Sequence, residues 1–378
     1  MSTLFNPVYS RELIGSKYRI PKLFKWKFPF KIMYDDNLPR IMGLFQKRIE
    51  GDDALLELAS LRFKESGLGV ELYANTPGEL DWLLKFRPSP EIPAVAHLNR
   101  NINILEKKSQ RLILDFATAF AGRIYGLVIH DQDEITDRFD NYVHSLHTIE
   151  SKLNTLPGNP YLFIEYAVGL EPALFIDLFK RIHHLDSISA CIDTGHIGIK
   201  QARDDFYLSH PGKDVCALFP GDPFLKQIIA DVERSVQSSL STVLKLIHTL
   251  GKLGKPLHFH LQDGHPLSTV SAYGVSDHIS FLSEIPIPFE FRGRKSLNPM
   301  FGPCGLTKIV RETEKKLSTD LISFTLEIHP ANERIPLGNA SYLFRHWKDR
   351  TNAEKMNGWL SVIQRNHTLL LDICMKRK

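Results

Sequence analysis

Long hydrophobic runs are missing from this 378-residue sequence. No stretch approaches the roughly 20 consecutive apolar residues that cross a bilayer as a helix. The opening segment MSTLFNPVYSRELIGSK has no apolar core of a signal peptide. No membrane partner is expected, and the expected location is cytoplasmic. Cysteine is scarce. Cys191, Cys216, Cys304 and Cys374 lie far apart and form no CxxC pair, which excludes a zinc knuckle and a disulfide framework and suits a reducing compartment. Excess charge of one sign is also lacking. The formal net charge of +4 does not by itself indicate a nucleic-acid binder, although a local basic patch stays open. Neither GxGxxG nor GxxxxGK[ST] follows any expected strand, and no internal repeat is visible.

What is present is the composition of a soluble globular protein, 43% hydrophobic and 24% charged, in a chain long enough for one large domain or two ordinary ones. The stretch from Tyr161 to Lys200 organises the rest. It reads as strand, loop, helix, strand, loop. YLFIEYA is apolar except for Glu165 near its end, and SISACIDTGH is apolar except for Asp193 and His196 at its end. A carboxylate in a buried strand is costly unless something neutralises it. Two of them at the same place on successive strands point to a shared partner. A metal ion is the simplest such partner, and a buried Arg or Lys is the alternative.

The same alternation runs along the chain. Residues 1–27, broken by Pro7, Gly15 and Pro21, read as an irregular N-terminal extension. KLFKWKFPFK (22–31) alternates basic and aromatic residues and reads as a strand with a solvated lysine face. FPFKIMY (28–34) is the expected first barrel strand. Further strands are expected at 69–75, 92–98, 125–130, 161–167, 187–196, 256–264 and 321–329. Helices are expected at 52–65, from Pro77, and at 103–121, 138–154, 171–184, 226–250, 305–317 and 338–375. About eight strand–helix units predict a parallel sheet with right-handed crossovers, closed as a (β/α)8 barrel over residues 28–378, with top-face loop insertions near 201–225 and 266–304.

In such a barrel the C-terminal strand ends converge on one face. The polar residues at those ends are His97, His130, Glu165, Asp193 with His196, His260 with Asp263 and His265, and Glu327 with His329. A rim made almost entirely of His, Asp and Glu is suited to Zn, Mn or Mg. A lone His such as His97 or His130 is more often a hydrogen-bonded rim residue than a ligand. Of His258 and His260 only one is expected to point inward, and His260, nearer the strand end, is chosen, with Asp263 as the group that holds it.

The order FIEYA, CIDTGH, HFHLQDG, SDH, FTLEIH resembles the xylose-isomerase-like barrel superfamily, over most of residues 69–329. That group contains sugar isomerases and epimerases and the endonuclease IV type of apurinic endonuclease (AP endonuclease family 2). The resemblance implies one divalent metal (Mn, Mg, Co or Zn) held by Glu165, Asp193, His260 and Glu327, with His196 on the substrate. The implied activity is isomerisation or epimerisation of a small sugar-like substrate by proton transfer through a metal-stabilised enediolate, with Glu165 and Glu327 moving the proton. The endonuclease branch implies further zinc ligands. His97 and His130 match two of them, whereas Asp277 and His278 stand adjacent where that branch has one residue between them. On that alternative the chain is a zinc phosphodiesterase acting on abasic DNA, and nucleic acid becomes a partner. A second alternative is a non-catalytic barrel used for binding. YLSHPGKDVCALFPGDP (207–223) is expected to act as a lid, and Arg292, Arg294 and Lys295 are expected to stand over the mouth, either binding a substrate anion or forming a solvated loop. An oligomer is left open.

Overall fold

The computed structural model of the chain describes residues 37–45, 53–217, 225–268, 278–291, 293–328 and 353–376. Its strands are β1 (Arg40–Leu44), β2 (Gly69–Ala74), β3 (Ala94–Leu98), β4 (Gly126–His130), β5 (Tyr161–Glu165), β6 (Ile188–Asp193), β7 (Leu257–Leu261), β8 (Ile285–Phe291), β9 (Arg294–Leu297) and β10 (Ile322–Leu326). Its helices are α1 (Asp53–Ser66), α2 (Pro77–Leu83), α3 (Lys107–Phe120), α4 (Phe139–Leu153), α5 (Pro172–Arg181), α6 (Thr194–Ser209), α7 (Leu225–Gly251), α8 (Gly302–Glu314) and α9 (Ala353–Met375).

Eight parallel strands close into a barrel in the order β1-β10-β7-β6-β5-β4-β3-β2. β1 pairs with both β2 and β10, so no sheet edge is left open. The chain is a (β/α)8 barrel. Of the apolar positions that predict α1, Leu55, Leu56, Leu58 and Ala59 are buried, whereas Leu61 is exposed and Phe63 completes the buried face instead. At α2 the Thr76 side chain accepts the Glu79 N–H at 3.2 Å, with Pro77 in the first turn, so cap and proline start the helix together. α7, 27 residues long, lies along α6, where Ser239 donates to the Gly198 carbonyl and Thr242 to Gln201, both at 2.8 Å. α9 closes the outside: Trp359 donates to the Ile328 carbonyl at 2.9 Å and Gln364 to Ser66 at 3.2 Å.

The barrel interior is filled in depth. Met42, Val95, Val128, Phe163 and Cys191 form an apolar floor, with Tyr125 and Tyr161 packed beside it. Gly126 makes room for this floor, because a Cβ there would lie 2.5 Å from the Phe163 ring. Glu71, in register with Val95, and His258, in register with Cys191, stand between this floor and the interior positions at the strand ends, His97, His130, Glu165, Asp193 and His260.

Four expectations change. The first barrel strand is Arg40–Leu44; FPFKIMY and the N-terminal extension lie outside the described residues. RIMGL follows Pro39 and carries Gly43, so its strand character comes from pairing on both sides rather than from propensity. The chain after Asp193 is helical at once, because the Asp193 side chain caps α6 by accepting the His196 N–H at 2.7 Å. Residues 201–209 are therefore helix rather than loop, and residues 218–224 of the expected lid lie outside the described residues. The 266–304 insertion contains an antiparallel hairpin, β8–β9, rather than loop alone.

Candidate metal centre

The C-terminal ends of β5, β6, β7 and β10 bring Glu165, Asp193, His260 and Glu327 together, with one ligand-type atom from each inside a mutual 4.8 Å. Strand register explains the convergence, since Asp193 is level with His260 and Thr325 is level with His260 on the other side. Around His260 Nδ1 lie Glu327 Oε2 at 3.1 Å, Glu165 Oε1 at 3.2 Å and Asp193 Oδ2 at 3.9 Å. The four are buried, and neither Nδ1 of His260 nor Oε2 of Glu165 makes a well-directed hydrogen bond among the described residues. Buried ligand-type atoms crowded together without a well-directed hydrogen bond of their own are the arrangement a cation resolves. Three carboxylate oxygens and one imidazole nitrogen are a donor set that Zn, Mn, Co or Mg accepts.

His97 and His130 form a second group with the same Glu165. Their Nε2 atoms are 3.0 Å apart, and each lies 3.3 Å from Glu165 Oε2. His97, His130 and Glu165 offer ligand atoms within a mutual 4.8 Å as well. The two oxygens of Glu165 therefore face different groups. His196 Nδ1 is 3.5 Å from Asp193 Oδ2 and 3.7 Å from Glu165 Oε1, and His278 Nε2 is 3.4 Å from Glu327 Oε1. His278 sits at φ +60, a left-handed backbone that side chains other than glycine rarely adopt. Asp277 and His329 lie outside the described residues.

The charges balance tightly. Burial works against ionising Glu165 and Glu327, but His260, helped by His130 for the first and His278 for the second, holds both well below the usual carboxylate range. Burial pushes Asp193 up to about 6, opposed by His196 and supported by the Glu327 and Glu165 charges. Burial works against protonating His260, yet Cys191 and the carboxylates of Glu71, Glu165 and Glu327 hold it well above the ordinary histidine value. A metal would take the place of that proton.

Several placements differ from the sequence reading. His258 and His260 both point inward and are fully buried, because residues two apart on a strand share a face. Asp263 does not hold His260. Its carboxylate accepts N–H groups from Gly264 and Gly302 at 2.7 Å and from Phe301 at 3.2 Å, tying β7 to the start of α8. Gln262 touches the site instead: its Nε2 donates to Asp193 Oδ2 at 2.5 Å and its Oε1 accepts the His278 N–H. His265 is buried away from the cluster and accepts the Leu267 N–H at 3.2 Å. Arg294 and Lys295 are exposed where the β8–β9 hairpin turns at Gly293 and do not line the cavity over the cluster; Arg292 lies outside the described residues. That cavity, about 1000 Å³, is lined by Arg100, Lys200, Arg203 and Lys213 among acidic neighbours. Asp131, also on its wall, accepts N–H groups from Ala167, Gly169 and Leu170 at 2.8, 3.0 and 2.9 Å and fixes the loop after β5. Glu71, on β2, was missed from sequence. A lone carboxylate in the apolar run GVELYA is the same signal that marks Glu165, but it sits mid-strand rather than at the end.

The sequence matches no family model and no curated protein. Among solved structures, the chain is similar to the carboxyl transferase domain of Rhizobium etli pyruvate carboxylase with 3-bromopyruvate, at 10% identity and TM-score 0.38 over 89% of this chain and 48% of that one. It is also similar to a complete multifunctional pyruvate carboxylase from Rhizobium etli, at 9% identity and TM-score 0.37 over 88% of this chain and 28% of that one. The chain thus spans about half the length of the first. Among the described residues, no helix is long and apolar enough to cross a membrane.

Proposed function

We propose that the chain is a divalent-metal hydrolase of phosphoesters, in which Asp193, His260 and Glu327 would hold one ion, His97 and His130 a second, and Glu165 would serve both. The observation that carries this reading is the division of Glu165. Its Oε1 lies 3.2 Å from His260 Nδ1 in the group with Asp193 and Glu327, and its Oε2 lies 3.3 Å from each Nε2 of His97 and His130. When bound, a pair of divalent ions polarises a phosphoryl group, supplies a nucleophile at neutral pH and offsets charge on the leaving oxygen. The chain's own residues hold the rest of the reaction. His196, about one-fifth exposed, borders both Asp193 and Glu165 and is placed to give a proton to a departing oxygen. Arg100 on the cavity wall is a cation available for the ester's remaining charge.

The mouth favours a small phosphoester over abasic DNA. Lys200 is paired to Glu171 at 3.0 Å and to Asp204 at 2.7 Å, and Arg203 to Asp214 at 2.8 Å, so among the described residues the wall offers no unbroken basic track for a phosphate backbone. A second reading, isomerisation or epimerisation of a sugar-like substrate within the xylose-isomerase-like superfamily, is favoured by one observation. The Glu165, Asp193, His260, Glu327 set is complete without the histidine pair, whose Nε2 atoms at 3.0 Å can share a proton. Glu165 and Glu327 would then exchange the substrate proton.

Metal stoichiometry by mass spectrometry separates the two. The expected result is two ions per chain, falling to one in the His97→Ala, His130→Ala double variant, with release of p-nitrophenol from bis(p-nitrophenyl) phosphate lost alongside. One ion per chain, unchanged in the double variant, overturns the hydrolase and turns the assay to aldose–ketose pairs. No ion under any condition sinks both enzymes and leaves a binding barrel.

A further inference from the structure

Beneath the two ligand groups lies a carboxylate that neither uses. Glu71, from the middle of β2, is fully buried and is surrounded by three histidines from two other strands. Its Oε1 accepts from His97 Nδ1 at 3.0 Å and lies 2.9 Å from His260 Nε2, the latter approach bent off the ring's N–H axis. Its Oε2 lies 3.2 Å from His258 Nε2, and His258 Nδ1 in turn meets the Ser323 hydroxyl at 2.8 Å. The outer nitrogens of the first two rings face the two ligand groups. His97 Nε2 faces His130 and Glu165 Oε2, and His260 Nδ1 faces Glu165 Oε1 and Glu327.

We propose that Glu71 is the positioning residue for both halves of the centre. One carboxylate holds the Nδ1–H form of His97 and the Nε2–H form of His260, and so presents one imidazole lone pair to each ion. This rests on the two-ion reading above. The physical reason is the one that governs metal-bound imidazoles generally. A ring whose far nitrogen gives its proton to a carboxylate is fixed in rotation and tautomer, and its near nitrogen becomes a better donor. Sharing one carboxylate between two rings has a consequence that separate partners would lack: a single change loosens both ions. His258 and Ser323 buttress Glu71 from below. The His258 ring packs 5.2 Å from Phe163, so the carboxylate is tied through it to the apolar floor. Glu71 is not among the residues that line the cavity over the cluster, so it acts through the histidines and not on a substrate.

The test uses zinc(II) alone, titrated into metal-free full-length chain against a competing chelator. Wild type is expected to take two ions, and Glu71→Gln to take the same two at saturation with each affinity lowered by about 10- to 100-fold. Unchanged affinities overturn the proposal, as does loss of one ion at saturation, which would make Glu71 a ligand. A wild type that binds no zinc fails the reading above instead, so the two failures are distinct. If Glu71→Gln does not fold, nitrogen-15 spectra of zinc-loaded wild type labelled at histidine decide. His97 is expected to keep its proton on Nδ1 and His260 on Nε2, and a proton on the opposite nitrogen of either ring overturns the proposal.

Discussion

On four neighbouring strands, the two halves of the barrel interior differ by only two residues. Val95 lies below His97, Val128 below His130, Phe163 below Glu165, and Cys191 below Asp193, each pair on one strand and one face. The depth difference is roughly 6.5 Å, yet the energetics change character. The floor gains from burial and dispersion. The layer above it buries carboxylates and imidazoles that cost stability unless each is paired or bound to a cation. Folding and ligand capture are therefore assigned to different depths of the same strands, and variants at the two depths should separate them.

The largest effect is expected at the floor. Phe163→Ala removes a fully buried ring and should cost about 3–5 kcal/mol in denaturant unfolding. The loss should be equal with and without added metal. A loss that disappears on adding metal would place the floor in the centre and end the division. The next effect belongs to the upper half. With free zinc at about a hundred times its Kd, wild type should gain about 2.7 kcal/mol for each ion bound. Glu165→Gln, which replaces one oxygen of the carboxylate that serves both groups and removes its charge, should gain far less. Full retention of that gain in thermal unfolding with zinc would refute the shared-ligand geometry.

The difference in depth also explains what the sequence shows and what it hides. The four-residue set Glu165, Asp193, His260, Glu327 is legible because each stands at or next to a strand end after an apolar run, where polarity breaks the pattern. The barrel is legible because strand and helix periods alternate. The first strand is hidden because five residues, RIMGL, carry too little period to outweigh the aromatic-rich segment before them. Glu71 and His258 are hidden because their function depends on parity. Counting by twos from Tyr73 and His260 puts both inside, but their partners are on strands distant in sequence. The start of α6 is hidden because Asp193 has two tasks. Its Oδ1 caps the helix and its Oδ2 meets Gln262, so a residue marked as a ligand also begins a helix.

A third effect lies outside the barrel wall and sharpens the comparison by having no link to metal. Burial pushes the pKa of His367 on α9 down to about 4, against an unfolded value of about 6.5. Below pH 6.5 the unfolded chain takes up a proton that the folded chain resists, so stability is present at neutral pH and is lost as pH falls towards 4. The loss at pH 5 should be about 2 kcal/mol. His367→Leu should flatten that part of the acid dependence, with or without zinc. An unaltered slope between pH 7 and 5 would show that another group carries it.

The smallest effect on stability should come from Gly195→Ala, at the first turn of α6. Its backbone is helical, so conformation alone would favour alanine by up to about 1 kcal/mol. Space opposes the change. A Cβ at 195 would lie 2.7 Å from both Cδ and Oε1 of Gln262. That amide is not free to swing away, because Nε2 donates to Asp193 Oδ2 and Oε1 accepts the His278 N–H. The clash is with the Gln262 side chain, at the lower end of an overpacking cost of about 1–3 kcal/mol, so set against the helical gain it should shift unfolding by about 1 kcal/mol or less. Zinc affinity should fall by about tenfold, because the displaced amide no longer orients Asp193 and no longer anchors the backbone that carries His278. If stability falls by several kcal/mol while zinc affinity holds, Gln262 belongs with the packing of the floor and not with the centre above it.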